Sequence, residues 1–135
     1  MLKHTLKKMF LVIVMSVFTI NVHAADWTMA SGYPKSNFHT QNIMKFIDEV
    51  KANTSVNINL NENDTLIKID AIKTALQRGQ IPIGEIRLGI YGNEDPMYIL
   101  AGLPFIAPDY SSAWLLKDVQ MGYLQEKFGK KGLMI

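Results

Sequence analysis

The sequence predicts an α/β fold in which strands and helices alternate around a parallel sheet. Two patterns of apolar residues indicate this class. They recur at every second position where a strand is expected, as in Val56–Leu60, and at helical spacing elsewhere, as in Ile43–Val50. The patterns alternate in the order strand, helix, strand, helix, strand. This βαβαβ order is typical of parallel strands joined by right-handed crossovers.

Each element follows from its local pattern. The predicted strands are Trp27–Ala30, Val56–Leu60 and Ile81–Leu88. The predicted helices are Thr40–Asn53, a segment from Asp64 or Thr65 to Gly79, and a segment from Ser111 or Ser112 that ends before Gly129 at position C′. The last four residues are expected to begin a further strand, which indicates either a truncated product or a short strand that closes the sheet.

The first 24 residues are expected to be a signal peptide and not part of the fold. Three lysines precede the apolar run Phe10–Ile20, and Val22-His23-Ala24 has small residues at the positions that signal peptidase reads, so cleavage is expected after Ala24. The apolar run is shorter than the ~20 residues that span a bilayer. An uncleaved N-terminal anchor would leave the same domain outside the membrane. We therefore expect a periplasmic domain, residues 25–135, with no direct membrane insertion.

Charge and cysteine content exclude several partners and cofactors. The chain has 14 Lys and Arg against 12 Asp and Glu, and residues 1–24 hold three of the lysines and no acid. The remainder is therefore nearly neutral, with no basic stripe for nucleic acid or an anionic membrane surface. Cysteine is absent and His39 is the one histidine after residue 24, so we predict no disulfide, no metal site and no cofactor.

The loops that follow the three strands are expected to form one ligand-binding edge. In an open α/β sheet the carboxyl ends of parallel strands lie together, and ligands bind there. These loops are Ser31–His39, Asn61–Thr65 and Gly89–Pro96, and they are rich in polar residues and glycine. The helix that begins near Thr40 directs its positive end and free amides toward this edge, which suits a carboxylate. The sequence therefore predicts a site for a small organic anion.

Within this edge, His39, Arg87 and Asn93 are candidate ligand contacts. An arginine fork binds a carboxylate bidentately, and an asparagine amide both donates and accepts hydrogen bonds. Two of them have a purely structural alternative. His39 would pack on Phe38 or cap the helix start, and Arg87 would pair with Glu85 on one face of the third strand.

A second class of function is a small exported α/β enzyme that uses His39 with Glu85 or Glu94 as acid–base groups. No nucleophile motif, metal set or phosphate loop accompanies the histidine, so the sequence favours binding over catalysis. Glu94 and Asp95 are adjacent in a turn, and their side chains are expected to point in different directions instead of forming a catalytic pair.

Several motifs in a fixed order carry a resemblance to one family. They are Tyr33-Pro34 with Phe38-His39-Thr40-Gln41-Asn42, Gly79-Gln80-Ile81-Pro82-Ile83-Gly84-Glu85, Asn93-Glu94-Asp95-Pro96 and Leu103-Pro104-Phe105. Through these motifs the chain from Trp27 to Ile135 resembles the N-terminal portion of the dicarboxylate-type solute-binding receptors of tripartite ATP-independent periplasmic (TRAP) transporters.

The resemblance implies a fold, a function and a set of contacts. Receptors of this type are two-lobed α/β proteins that close on an organic acid and deliver it to a permease driven by an ion gradient. It implies that residues 25–135 are the first lobe, with the second lobe absent from this chain, and that the ligand is similar to a C4-dicarboxylate. The implied ligand contacts are Tyr33, Phe38, His39, Arg87, Asn93 and Glu94.

Two features depart from the family pattern. The family holds its ligand carboxylate mainly with an arginine of the second lobe, which lies beyond this sequence. The loop Asn61–Thr65 also lacks the glycine and small residues common in relatives. The fit of a standard dicarboxylate is therefore in question.

Overall fold

The computed structural model describes residues 25–135, and the predicted signal peptide lies outside the described residues. The strands are β1 (Ala25–Ala30), β2 (Val56–Asn61) and β3 (Ile83–Gly84). The α-helices are α1 (Phe38–Asn53), α2 (Ile72–Gln77) and α3 (Tyr110–Gly129), and two 3₁₀ helices span Leu88–Tyr91 and Pro96–Gly102. Among these helices, none combines the length and the hydrophobicity that a bilayer crossing requires.

The three strands form one parallel sheet in the order β2-β1-β3. β1 pairs with β2 along its whole length, from Ala25 opposite Val56 to Ala30 opposite Asn61. β3 pairs only with the last two residues of β1, so that Gly84 lies opposite Ala30. The predicted α/β class and its parallel βαβαβ order are confirmed, and the carboxyl ends of all three strands meet at one edge of the sheet.

Helix α1 begins two residues earlier than predicted because Asn37 caps it. The Asn37 side-chain oxygen accepts a hydrogen bond from the His39 N–H at 2.9 Å. Thr40 is fully buried, and its hydroxyl donates to the Tyr33 carbonyl at 3.1 Å. This bond fixes the start of the helix against the loop after β1. The helix ends at Asn53, as predicted.

Helix α2 is shorter than predicted because Asp64 stabilises a turn instead of capping a helix. Asn63 and Asp64 both have left-handed backbone conformations, with φ of 56° and 58°. The Asp64 carboxylate accepts a hydrogen bond from the Ile69 N–H at 2.8 Å, which competes with helix formation, and the helix begins only at Ile72. The predicted end is confirmed, since Gly79 follows the helix with a φ of 66°.

Strand β3 is much shorter than the predicted Ile81–Leu88. Beyond its two residues the chain leaves the sheet, because its next apolar side chains pack on a separate core cluster. These side chains are Ile86, Leu88 and Ile90. The prediction that Glu85 and Arg87 share one face of a strand is therefore wrong.

Two clusters of buried residues form the core. The first lies between the sheet and α2 and contains Ala30, Ile72, Ala75 and Ile81. The second joins the 3₁₀ helices to α3 and contains Tyr91, Tyr98, Leu124 and Phe128. Ile86 packs against both clusters, so the segment after β3 connects the sheet to α3.

Helix α3 begins at Tyr110 because Asp109 caps it, accepting a hydrogen bond from the Ser112 N–H at 2.7 Å. Its end also differs from the prediction. Gly129 is the last helical residue, and the glycine with a left-handed backbone is Gly132, with a φ of 72°. Residues 132–135, predicted to begin a strand, are not part of one.

Candidate functional site

Backbone hydrogen bonds tie together the loops at the carboxyl ends of the strands. The Asp64 N–H donates to the Ser31 carbonyl at 3.2 Å, and the Asn63 N–H donates to the Tyr33 carbonyl at 2.9 Å. The Glu85 N–H donates at 2.9 Å to the carbonyl of the last residue of β1. The loops after β1 and β2 and the first residue after β3 therefore lie side by side. The contacts of the third predicted loop, Gly89–Pro96, are instead with the segment before α2 and with α3, since the Tyr91 hydroxyl donates to the Asp70 carbonyl at 3.1 Å and Asp95 accepts from Tyr123.

A chain of hydrogen bonds runs along this edge toward His39. The Tyr33 N–H donates to Ser31 Oγ at 3.3 Å, and the Ser31 hydroxyl donates to Glu85 Oε2 at 2.5 Å. The other carboxylate oxygen, Oε1, lies 3.5 Å from His39 Nδ1. Ser31 is fully buried, whereas the His39 side chain is 45% exposed. The chain therefore leads from a buried hydroxyl to an imidazole at the surface.

Two aromatic rings pack against this imidazole. The Tyr33 ring stacks on the His39 ring with their centroids 4.7 Å apart and their planes 15° apart. The Phe38 ring lies 4.1 Å from the His39 ring and is tilted by 30°. Phe38 is the first residue of α1 and is 65% exposed. The structure thus brings together Tyr33, Phe38 and His39, and it leaves aromatic surface open to solvent beside a polar group.

Arg87 lies on the exposed surface of the segment that follows β3. It is two residues beyond Glu85 and directly precedes the first 3₁₀ helix, with an extended backbone (φ −87°, ψ 100°). None of the ion pairs found in residues 25–135 includes it. The alternative prediction that Arg87 pairs with Glu85 is therefore wrong. Arg87 is an exposed residue, and a guanidinium suits a bound anion.

Glu94 is held by two lysines. One carboxylate oxygen pairs with Lys73, whose side chain is 3% exposed, and the other lies 3.2 Å from Lys131 Nζ. The hydrogen bond from Lys73 is the main cause that lowers the pKa of Glu94. Lys73 also lies over the Tyr91 ring, 4.1 Å from its centroid, and burial raises the pKa of the Tyr91 hydroxyl. These contacts give Glu94 a structural role, whereas Asn93 beside it is exposed.

Asp95 has partners different from those of Glu94, as the sequence predicts for adjacent acids in a turn. Its Oδ2 accepts a hydrogen bond from the Tyr123 hydroxyl at 2.5 Å and lies 3.0 Å from Lys127 Nζ. Its Oδ1 accepts from the Met97 N–H at 3.0 Å and caps the second 3₁₀ helix. The bond from Tyr123, followed by the one from Met97, lowers the pKa of Asp95 to about 2. Asp95 therefore anchors this turn to α3.

Sequence reasoning missed two residues of this region, Ser31 and Lys73. Ser31 follows β1 directly and is fully buried, but a serine in a loop carries no signal for a partner 54 residues away. Lys73 is 2% exposed and lies between the buried positions Ile72 and Ala75. The position of Lys73 on the inner face of a short helix is the signal that could have identified it as buried.

A metal centre and an apolar recess are two alternative kinds of site for the described structure. Within residues 25–135, no group of three or more histidine and acidic side chains is placed to bind a metal ion. A recess lies where β3 begins, between the sheet and the end of the chain, and its lining includes Trp27, Pro82, Phe128 and Leu133. That lining has no charged side chain, so the recess offers nothing to neutralise a carboxylate. The polar edge around His39 is the better candidate site.

Comparison with known proteins relates this fold to solved structures. No family model and no curated protein matches the chain. The chain is similar to DctP6 of Bordetella pertussis, an extracytoplasmic solute receptor binding pyroglutamic acid, with 38% identity and a TM-score of 0.79 over 82% of this chain and 37% of that chain. It is also similar to DctP7 of the same organism, a receptor binding the same acid, with 34% identity and a TM-score of 0.77 over 81% and 37% of the two chains.

A third similar structure is a TRAP solute-binding protein from a marine metagenome, specific for pyroglutamate. It shares 30% identity and a TM-score of 0.78 over 83% of this chain and 38% of that chain. The first two of these structures are extracytoplasmic solute receptors and the third is a TRAP solute-binding protein. The predicted resemblance to TRAP solute-binding proteins is therefore confirmed. The chain spans 37–38% of the length of these relatives.

Proposed function

We propose that this chain is part of an extracytoplasmic solute receptor of a TRAP transporter, which binds a small organic acid and delivers it to membrane permease subunits. The observation that carries the proposal is the 38% identity with DctP6 over 82% of this chain. A receptor of this kind carries its solute unchanged. We therefore propose no enzymatic activity and no cofactor for this chain.

The first candidate ligand is pyroglutamate, and a C4-dicarboxylate is the second. The three similar structures described above, at 30–38% identity, are receptors for pyroglutamic acid or pyroglutamate. Pyroglutamate is a small ring with one carboxylate, one carbonyl and one N–H. The aromatic surface beside His39 suits such a ring. The resemblance to dicarboxylate-type receptors is the reason that a C4-dicarboxylate belongs in the same tests.

The proposed ligand contacts are the six residues predicted from the sequence. They are Tyr33, Phe38, His39, Arg87, Asn93 and Glu94. Arg87 is the proposed partner of the ligand carboxylate, since it is an exposed residue and none of the ion pairs in residues 25–135 includes it. Glu94 has the weakest support of the six, because Lys73 and Lys131 already bind its carboxylate.

We propose that residues 25–135 form one lobe of a two-lobed receptor that closes over its ligand. Ligand binding favours the closed state only through contacts made to both lobes. Two observations support this proposal. The chain spans 37% of the length of DctP6. Helix α3 also exposes Trp114, Leu115 and Val119 by 63%, 67% and 67%, and exposed apolar patches of this kind mark interaction surfaces.

We propose that the protein is exported and that its signal peptide is cut after Ala24. The lysines and apolar run of residues 1–24 support this, as do the extracytoplasmic receptors among its relatives. The intact mass of the protein in a periplasmic extract tests the cleavage site. A chain that begins at Ala25 is expected, and a chain that retains residues 1–24 would contradict the proposal.

The alternative of a small enzyme is not favoured. The enzyme hypothesis pairs His39 with either Glu85 or Glu94. The His39 imidazole does lie 3.5 Å from Glu85, but the Glu94 carboxylate is bound by lysines. A histidine–carboxylate pair needs a nucleophile, a metal ion or a bound substrate group to act upon. The similar proteins of known structure are solute receptors.

Thermal unfolding with a panel of small molecules tests the proposed function. A ligand that binds the folded state raises Tm once its concentration exceeds Kd. Because one lobe supplies only part of a cleft, we expect millimolar L-pyroglutamate to be needed to raise Tm. The same ring without its carboxylate, 2-pyrrolidone, should leave Tm unchanged. A shift with succinate alone would reassign the ligand to the dicarboxylates, and a shift with neither acid would contradict the proposal.

A further inference from the structure

We infer that Glu85 sets the tautomer of His39: in the neutral imidazole the proton lies on Nδ1, so that Nε2 presents a hydrogen-bond acceptor to the ligand. This inference rests on the proposed function and concerns the class of acid that the site selects. An acceptor at Nε2 selects an acid that carries an N–H donor, such as a lactam, over an acid that carries a second carboxylate.

The direction of the hydrogen bonds is fixed by a backbone N–H, which can donate but cannot accept. The backbone N–H of Tyr33 only donates, and it donates to Ser31 Oγ at 3.3 Å. The Ser31 hydroxyl directs its own proton to Glu85 Oε2, 2.5 Å away. Ser31 is fully buried, so solvent does not compete for this proton. Glu85 is therefore the acceptor in this chain of bonds.

The second oxygen of Glu85 determines which nitrogen of His39 carries the proton. Oε1 lies 3.5 Å from Nδ1, which is longer than a normal N–H···O hydrogen bond but within range of electrostatic attraction. A lone pair on Nδ1 would face the carboxylate oxygen and be repelled, whereas an N–H is attracted to it. A neutral imidazole has a single N–H, so its position on Nδ1 leaves Nε2 as an acceptor.

The rings of Tyr33 and Phe38 keep the imidazole in this orientation. Their centroids lie 4.7 Å and 4.1 Å from that of His39. The titratable groups that contact His39 in the described part of the chain are Glu85 and Tyr33. Since Nδ1 faces Glu85 and the His39 side chain is 45% exposed, Nε2 is the ring nitrogen that we propose to contact a ligand.

The two candidate acids require opposite hydrogen-bonding roles of Nε2: one needs an acceptor and the other a donor. The lactam N–H of pyroglutamate donates to a neutral imidazole. A second carboxylate needs a donor, which Nε2 provides only after the imidazole gains another proton. A ligand that leaves the acceptor without a donor loses the hydrogen bond, which corresponds to roughly tenfold or more in affinity. Glu85 is thus a positioning residue for specificity, acting through His39.

Nitrogen-15 chemical shifts of the imidazole test the tautomer directly. The His39 signals are identified by their loss in His39→Gln. In the native protein we expect the neutral ring to carry its proton on Nδ1, and Glu85→Ala should move the population toward the Nε2–H form. Glu49→Ala, which removes an exposed carboxylate elsewhere on α1, should leave the signals unchanged. A native ring with its proton on Nε2 would overturn the inference.

A matched pair of ligands tests the specificity. L-Pyroglutamate is compared with the corresponding lactone carboxylate, in which a ring oxygen replaces the N–H and the shape is kept. In the native protein the lactam should bind roughly tenfold tighter or more, and Glu85→Ala should bring the ratio of Kd values close to one. Equal Kd values in the native protein would overturn the inference and leave the proposed function intact. Failure of both acids to bind would overturn both.

Discussion

The Ser31 hydroxyl lies 2.5 Å from Glu85 Oε2 and so links the residues that directly follow β1 and β3. A hydrogen bond from a buried hydroxyl to a carboxylate contributes about 1.5–3 kcal/mol. Ser31→Ala should lower the free energy of unfolding by about this amount, measured by urea denaturation. Ser36→Ala, in the exposed part of the same loop, should change it by less than about 0.5 kcal/mol. Equal effects of the two changes would contradict this role of Ser31.

Gly84 packs too closely against α2 to accept a side chain. A Cβ at Gly84 would lie 2.7 Å from Ile72 Cγ2, and the cost of such overpacking is about 1–3 kcal/mol. In contrast, a Cβ at Gly122 in α3 meets nothing within 4 Å. Gly84→Ala should therefore lower the free energy of unfolding, and Gly122→Ala should raise it by about 0.5–1 kcal/mol. A stabilising Gly84→Ala would show that β3 does not pack on α2 as described.

Asp95 should make stability depend on pH in the acid range. Its pKa is lowered from 3.8 to about 2 in the folded protein, chiefly by the Tyr123 hydroxyl. A lowered pKa gives stability that is fully present above the ordinary value and is lost as pH falls toward the folded value. Asp95→Asn should therefore lower stability at neutral pH and flatten its decline between about pH 4 and pH 2.

Denaturant unfolding over this pH range checks the Asp95 prediction. Asp118→Asn is a matched control, since Asp118 lies on the same helix as Tyr123 and its side chain is 66% exposed. The control should keep the decline of the native protein. An unchanged decline in Asp95→Asn would mean that the bond to Tyr123 contributes no stability.

Arg87 should contribute to affinity and not to stability, because its side chain is exposed and outside the ion pairs of residues 25–135. Charge-assisted hydrogen bonds to a carboxylate contribute about 1.5–3 kcal/mol, so Arg87→Gln should weaken L-pyroglutamate binding roughly tenfold or more. Arg78→Gln, at the exposed end of α2, is the control and should leave Kd nearly unchanged. Equal losses in both variants would indicate long-range attraction instead of a direct contact.

The parts of the fold that follow from local patterns were predictable from the sequence. β2 and α1 have clear apolar periodicity, and they form close to their predicted bounds. The third strand was not predictable in length, because Ile86 and its apolar neighbours pack on a distant cluster that includes Leu124 and Phe128. An alternating pattern shows that side chains are buried, but it does not show against which partner.

The candidate site also has parts that the sequence predicts and parts that it does not. Phe38 and His39 are neighbours at a helix start, so their proximity needs no long-range information. Glu94 differs, because its partners Lys73 and Lys131 lie 21 and 37 residues away in sequence. No local pattern predicts these ion pairs, and for this reason the sequence does not indicate that lysines already bind the Glu94 carboxylate.

We propose that the edge around His39 binds a small organic acid. A titration of the nitrogen-15-labelled protein with L-pyroglutamate, followed through its backbone amide signals, tests this binding. We expect saturable shifts concentrated at Tyr33, His39 and Arg87, with little change in the second half of α3. Saturable shifts confined to the apolar recess near Trp27 and Phe128, or no saturable shift at all, would contradict the proposal.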